Sequence, residues 1–394
     1  MEKNILNKGD ISGPINIIRL EGKINNIKKT LYILGDNHTD KNTQKKCLNY
    51  SALHITQVLD KFIKKSSDFN TTWDFMIEGF LNSTVNNSFN IKEDTNYHMT
   101  NKNYLDEVRE IMTNYLNVEI KNNNYKEYKI LKSNKFNIRF HAVDPRLEFS
   151  NYFKFRVLFD LLFNQNSKGT RNSKNTMINH IINLINLLYN ELNNISSEKK
   201  LKIYNKLFNS YKNDQVKKLI VNYLKKIVIV ITDNIEKLGF LEDDIKANIK
   251  EVNIKYYNDL NLPVLNNSNG SWTWGEPYDD KNIKYIDKKI IEVYRSLFDS
   301  LNTLLDLNFL RRFLDKNYIS NCILYCGIWH FVYLTKTLVS DFNFKITHIY
   351  YSKTSIDKIN KIVKDSSFHD LIPEFYPITL TQCSSLEGFP DMFL

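Results

Sequence analysis

The sequence predicts an α/β fold, with a central, mostly parallel or mixed sheet flanked by helices and a large helical insertion. Three observations point there. Leu31-Tyr32-Ile33-Leu34 and Ile323-Leu324-Tyr325-Cys326 are short apolar runs that suit strands buried on both faces. Each stops on a glycine and delivers a histidine three residues later, Gly35 to His38 and Gly327 to His330, ahead of a helical pattern. Between them, residues 150–260 are periodic at helical spacing and nearly free of glycine.

The elements follow in order. Ile15 to Leu20 and Thr30 to Leu34 make a hairpin that turns near Asn25-Asn26. Gly35 permits a sharp turn that lifts Asp36 and His38 over the strand end. Thr39 or Asp40 caps a helix with apolar positions Cys47, Leu48, Ile55, Val58, Leu59 and Phe62, and His54 lies within it as a surface or packing residue. Trp73 to Gly79 is the next strand and completes a right-handed β-α-β unit.

Residues 81–103 are polar and Asn-rich and read as a long loop. Phe136 to Asp144 is a further strand, closed by Pro145, so Asp144 and Arg146 sit in a strand-end turn. Helical segments follow around Tyr152 to Phe163, Met177 to Leu192, Leu201 to Ile231 and Ile245 to Leu260. The Gly-, Pro- and Trp-dense stretch from Leu262 to Tyr278 reads as a lid or binding loop in which Trp272 and Trp274 pack or contact a ligand. Helices resume from Asn282 to Leu314, then come a strand over Asn321 to Cys326, a helix from His330 and a strand over Lys345 to Tyr351. The tail, with Pro373, Pro377 and Pro390, reads as irregular. Three parts result: a first α/β half over 1–150, a helical insertion with the lid loop over 151–315, and a second α/β part over 316–394 that completes one sheet with the first.

Composition narrows the function classes. With 42% hydrophobic residues in 394, the chain can bury a sizeable core. The net charge of +10 is spread through helical segments without a zinc-finger or RNA-binding motif, so a solvated lysine surface is expected rather than a nucleic-acid footprint. Cys47, Cys322, Cys326 and Cys383 match neither a disulfide framework nor C-x-x-C zinc spacing, which points to a reduced, intracellular setting. Met1 to Lys8 carries no apolar core of a secretory signal, and Ile227 to Ile231 is far short of a membrane span. A soluble protein is expected.

The chemistry gathers at strand ends: Asp36 and His38, Glu78, His141 with Asp144 and Arg146, and His330. Two imidazoles and a carboxylate form a donor set for a divalent metal ion, His38, His330 and Glu78, that leaves a position open for water. The same groups can instead share acid/base work, with Glu78 activating water and Arg146 clamping an anion. Each has a structural alternative. Glu78 can pair with an arginine, Asp144 with Arg146, and Cys326 can be a small buried hydrophobe.

The paired Gly-x-x-His motifs, with Glu78 closing an intervening strand and an arginine further on, resemble the TraB/TIKI superfamily, grouped with erythromycin-esterase-like and ChaN-like proteins. The matching positions are Gly35 and His38, Glu78, Arg146 (with Arg139 as competitor), then Gly327 and His330. Asp36 stands where that group commonly has Glu. The resemblance implies motif residues gathered at one sheet edge, in a group that includes metal-dependent proteases, ester hydrolases and haem-iron binders. The expectation is therefore a hydrolase of peptide or ester bonds acting on a small-molecule or peptide substrate. The rival expectation is a catalytically degenerate interaction protein on the same fold.

Overall fold

The computed structural model describes residues 9–38, 47, 49, 51–78, 103–116, 131–132, 135–144, 207, 209, 211–248, 296, 299–300, 302–377 and 381–390. The chain divides into two units, one of Met1–Asp144 with Asn308–Leu394 and the other of Pro145–Leu307.

In the first unit, β1 (Asp10–Ser12) leads into a hairpin of β2 (Asn16–Ile24) and β3 (Ile27–Asp36). Asn25 and Asn26 both take positive φ, 49° and 63°, which Asn tolerates and a two-residue hairpin turn requires. β4 (Leu53–His54) runs into α1 (Ile55–Lys65). That helix begins at Ile55 rather than at Thr39 or Asp40, and Cys47 lies outside it. His54 is its cap, since the imidazole accepts from Thr56 N and Gln57 accepts from His54 N.

β5 (Trp73–Ile77) follows, then α2 (Tyr104–Leu116), a helix that no reading of the sequence above placed. β6 (Leu131–Lys132) and β7 (Ile138–Ala142) close this half. In the second unit, α3 (Asp214–Asn248) is one continuous 35-residue helix where the sequence suggested segments ending at Ile231 and resuming at Ile245. A helix over 302–315, α4, has its residues from Asn308 onward in the first unit.

After it come β8 (Asn321–Gly327), α5 (Ile328–Phe342), β9 (Lys345–Ile349), α6 (Ile356–Asp365), α7 (Phe368–Phe375) and β10 (Cys383–Ser385). The tail is therefore ordered into two helices and a strand. Pro373 sits inside α7, and Ser367 caps that helix in a reciprocal box with Asp370. The lid-loop residues Trp272 and Trp274, and Arg146, lie outside the described residues.

The seven-stranded sheet has the order β6-β7-β5-β8-β3-β2-β9. β7, β5, β8 and β3 are parallel, with antiparallel strands on either side, so the sheet is mixed. A parallel centre must be covered on both faces, and it is. One face packs Tyr32, Phe75, Phe140 and Tyr325 against Val58 and Phe62 of α1 and Val108 of α2. On the other, Gly35 lies under Ile328 and Phe331 of α5. Gly35 belongs to β3 itself, so it serves close packing and not the expected turn, which falls to His38 at φ 52°. Among the described residues no helix is long and apolar enough to cross a membrane.

Two further features tie distant segments together. Lys29 is buried and donates to the carbonyls of Phe313, Lys316 and Ile319, which terminates α4 with a cation where its dipole is negative. Cys47 and Cys383 are joined in a disulfide, 336 residues apart in sequence, against the expectation of unpaired thiols. The pairing depends on β10 lying antiparallel to β1, with Ser12 opposite Cys383. Cys322 and Cys326 are buried in β8.

Lys29→Met should lower unfolding stability by about 2–4 kcal/mol in urea, because three buried carbonyls lose their donor. Burial lowers the Lys29 pKa from 10.5 to about 8, against the raising effect of Cys322, Asp74 and Asp315. Between those values the unfolded chain holds a proton that the folded one has released, so wild-type stability relative to the variant should rise with pH from about 8 to 10.5.

Candidate active site

Three adjacent strands, β5, β8 and β3, deliver the site at their carboxyl ends, where ligands bind in open α/β sheets. Asp36 is the last residue of β3 and pairs with Gly327 at the end of β8. Glu78 extends the β5 ladder by one residue through Glu78 N to Tyr325 O at 3.0 Å. His330 lies in the first turn of α5, whose cap is Gly327.

Because β8 lies between β5 and β3, the Glu78 side chain reaches across Gly327 to His38. Glu78 Oε2 accepts from Gly327 N at 2.6 Å and lies 3.1 Å from His38 Nε2. Its other oxygen, Oε1, lies 3.4 Å from His330 Nε2. A Cβ on Gly327 would fall 2.6 Å from His38 Nε2 and 3.3 Å from Glu78 Oε2. The second glycine of the paired motif thus serves close approach, since its φ of −60° is open to any residue.

Behind His38 stands a second carboxylate. Asp36 Oδ2 is 3.2 Å from His38 Nδ1, and Asp36 Oδ1 accepts from Gln382 Nε2 at 2.8 Å. Asn37 accepts from Tyr376 at 2.5 Å, and Arg109 of α2 reaches the Glu78 carbonyl at 3.4 Å from Nε and Nη2. The result is a chain Gln382–Asp36–His38–Glu78–His330. Asp36 and Glu78 are buried, while the His38 side chain is 32% exposed and meets solvent.

The charges are set by this arrangement. Burial pushes Glu78 upward, but the charges and hydrogen bonds of His330 and His38 outweigh it and hold the carboxyl well below its usual range. Burial pushes His38 down, and it is overcome by the Glu78 charge and by hydrogen bonds to Asp36 and Glu78, so its pKa rises to about 9. Glu78 is an ionised acceptor. His38 is a cation with a carboxylate on each nitrogen.

His38, His330 and Glu78 supply the donor types of a catalytic zinc site, and Asp36 occupies the place of the carboxylate that orients a metal-binding histidine through its other nitrogen. The spacings are those of hydrogen bonds. Among the described residues no group of three or more His, Cys, Asp and Glu is arranged to hold a metal ion.

The structure brings together Asp36, His38, Glu78 and His330 and leaves out His141. That imidazole is buried in β7, gives Nε2–H to Asp74 Oδ1 at 2.6 Å and accepts from Arg312 of α4 at 2.9 Å. Burial lowers its pKa, reinforced by Arg312 and Arg139 and opposed by Asp74, which matches the neutral tautomer the bonds require. Arg139 does not serve the site either, because it pairs with both oxygens of Asp74 at 2.7 and 2.6 Å. Asp144 is buried at the same sheet edge as Glu78, next to Val143, whose N–H donates to Ile77 O. Sequence reasoning missed Gln382, Arg109 and Asp74. A carboxylate inside the otherwise apolar Trp73–Ile77 run was the one available signal.

Comparison with known proteins adds kinship. The model of a family of unknown function, DUF5847, matches residues 9–202 and 190–394. This chain belongs to DUF5847. The chain is also similar to proteins of Acanthamoeba polyphaga mimivirus: uncharacterized protein R706 is 27% identical over 97% of this chain and 96% of its own length. Uncharacterized protein R160 is 28% identical over 100% and 99%, and uncharacterized protein R161 is 27% identical over the same shares. No solved structure matches.

Two substitutions separate the site from its support. Gly327→Ala should push His38 off Glu78, seen as loss of the carboxylate-bonded His38 imidazole signals in nitrogen NMR of histidine-labelled protein. Asp74→Ala strands the buried His141 and leaves Arg139 without its carboxylate, and should cost about 3–5 kcal/mol of stability, with the His38 signals of the folded protein unchanged.

Proposed function

We propose that this DUF5847 protein is a hydrolase of peptide or ester bonds in which Glu78 activates water between His38 and His330. One observation carries the reading: two imidazoles, one just past the end of β3 and one in the first turn of α5, face the two oxygens of a single buried carboxylate, at the edge where α/β sheets bind ligands. The resemblance of the Gly-x-x-His pairs to the TraB/TIKI group supports it.

In this reading Glu78 accepts the proton of a water lodged against it, and Gly327 N–H and His330 fix the carboxylate so that one lone pair faces that water. His38, held by Asp36 on its far nitrogen, is the proton donor for the leaving group and is the member of the set open to solvent. A divalent cation fits the donor types. His38, His330 and Glu78 would hold it, and when bound it supplies a water of lowered pKa.

Hydrolysis of a panel of p-nitrophenyl esters and fluorogenic peptides tests the proposal. Glu78→Gln should reduce kcat/KM by about a hundred- to ten-thousand-fold, the usual contribution of general-base catalysis. Chelation distinguishes the two forms: loss of turnover, together with loss of bound metal in His38→Ala and His330→Ala, marks the cation form, and survival marks the acid/base form. Turnover unchanged in Glu78→Gln, or absent across the panel, overturns the reading.

A further inference from the structure

The disulfide lies one residue from the site's support on one side and nine residues (47 − 38) from His38 on the other. Cys383 opens β10, and the residue before it is Gln382, whose buried side chain donates to Asp36. Gln382 Oε1 has no hydrogen-bond partner among the described residues. Apart from the bond to Asp36, the position of the amide is set by its backbone, which is held by Gly13 N to Gln382 O at 3.1 Å and by the ladder between β1 and β10. That ladder is three residue pairs long. Strands this short, paired on a two-residue neighbour such as β4, do not hold position unaided. The disulfide supplies the missing constraint by fastening the start of β10 to the segment that follows His38.

The four cysteines also differ in reactivity. Cys47 and Cys383 are partly exposed, within reach of a reductant, whereas Cys322 and Cys326 are sealed in β8, where burial and Asp74 raise the Cys322 thiol well above its ordinary pKa.

We propose that Cys47 and Cys383 form a thiol–disulfide switch whose oxidised state holds His38 in the candidate site through Gln382 and Asp36. The reductant is a dithiol. Its thiolate attacks one sulfur, the Cys47–Cys383 bond breaks and the leaving thiolate takes up a proton. The second thiol then resolves the mixed disulfide, so two electrons and two protons pass to the pair and the dithiol leaves as a disulfide. Reduction frees β10, Gln382 leaves Asp36 Oδ1, and the carboxylate that fixes the His38 ring through Oδ2 loses its own anchor. The effect on turnover rests on the hydrolase reading; the effect on His38 does not.

The test uses the full chain, oxidised or treated with dithiothreitol. Alkylation and peptide mass spectrometry should find Cys47 and Cys383 blocked in the oxidised protein and labelled after reduction. In nitrogen NMR of histidine-labelled protein, with His38 assigned through His38→Asn, the exchange of its Nδ1 proton should accelerate by at least about tenfold on reduction. Cys47→Ser should show the reduced-state signal in either condition. Gln382→Leu, which keeps the disulfide, should show it too. Free Cys47 or Cys383 in air-oxidised protein, or a His38 signal indifferent to reduction, overturns the switch. If the signal responds while no ester or peptide is cleaved in either state, the hydrolase reading falls and the switch stands.

Discussion

The constraint on which the rest depends is the burial of an ionised carboxylate at Glu78. A charge removed from water costs several kcal/mol unless donors surround it, and here they come from two separate pieces of chain: Gly327 N–H and His330 from one, His38 from the other. Those pieces meet only because β8 lies between β5 and β3. Sheet order therefore fixes the site. Once Glu78 reaches across β8, residue 327 has no space for a side chain, and the imidazole beyond it is drawn into contact with two carboxylates.

A second polar system sits toward the other end of the same strands. Asp74 and Glu78 lie on the same face of the β5 line, four residues apart, or about 13 Å at the usual rise. Asp74 is closed off by Arg139, His141 and Arg312, while Glu78 shares its ligands with an imidazole that solvent can reach. The contrast is one of access: Asp74 and His141 are fully buried in a paired network beside α4, whereas His38 meets solvent. His141 carried the chemical signature of a site residue, but its partners place it with the structural group.

Local patterns were legible where local physics decides. Asn25-Asn26 announced the turn because asparagine tolerates the left-handed conformation that a tight hairpin needs. The buried strands β3, β5 and β8 showed as unbroken apolar runs because both faces are covered. The tail misled, since Pro373 lies inside α7 near the end of a capped helix. The start of α1 misled for a related reason: a histidine cap at His54 is rarer than the Thr or Asp that the pattern offered earlier.

By itself the sequence determined the α/β class and marked two histidines and a glutamate as candidates beside strand ends, because strand burial and strand-end glycines leave marks on neighbouring residues. The tertiary structure alone decided that β8 inserts between β5 and β3, that Arg139 and His141 turn to Asp74, and that Cys383 meets Cys47 with Gln382 beside Asp36. Each of these is a pairing between segments far apart in the chain. Such pairings are chosen by strand order and register, which no local pattern encodes.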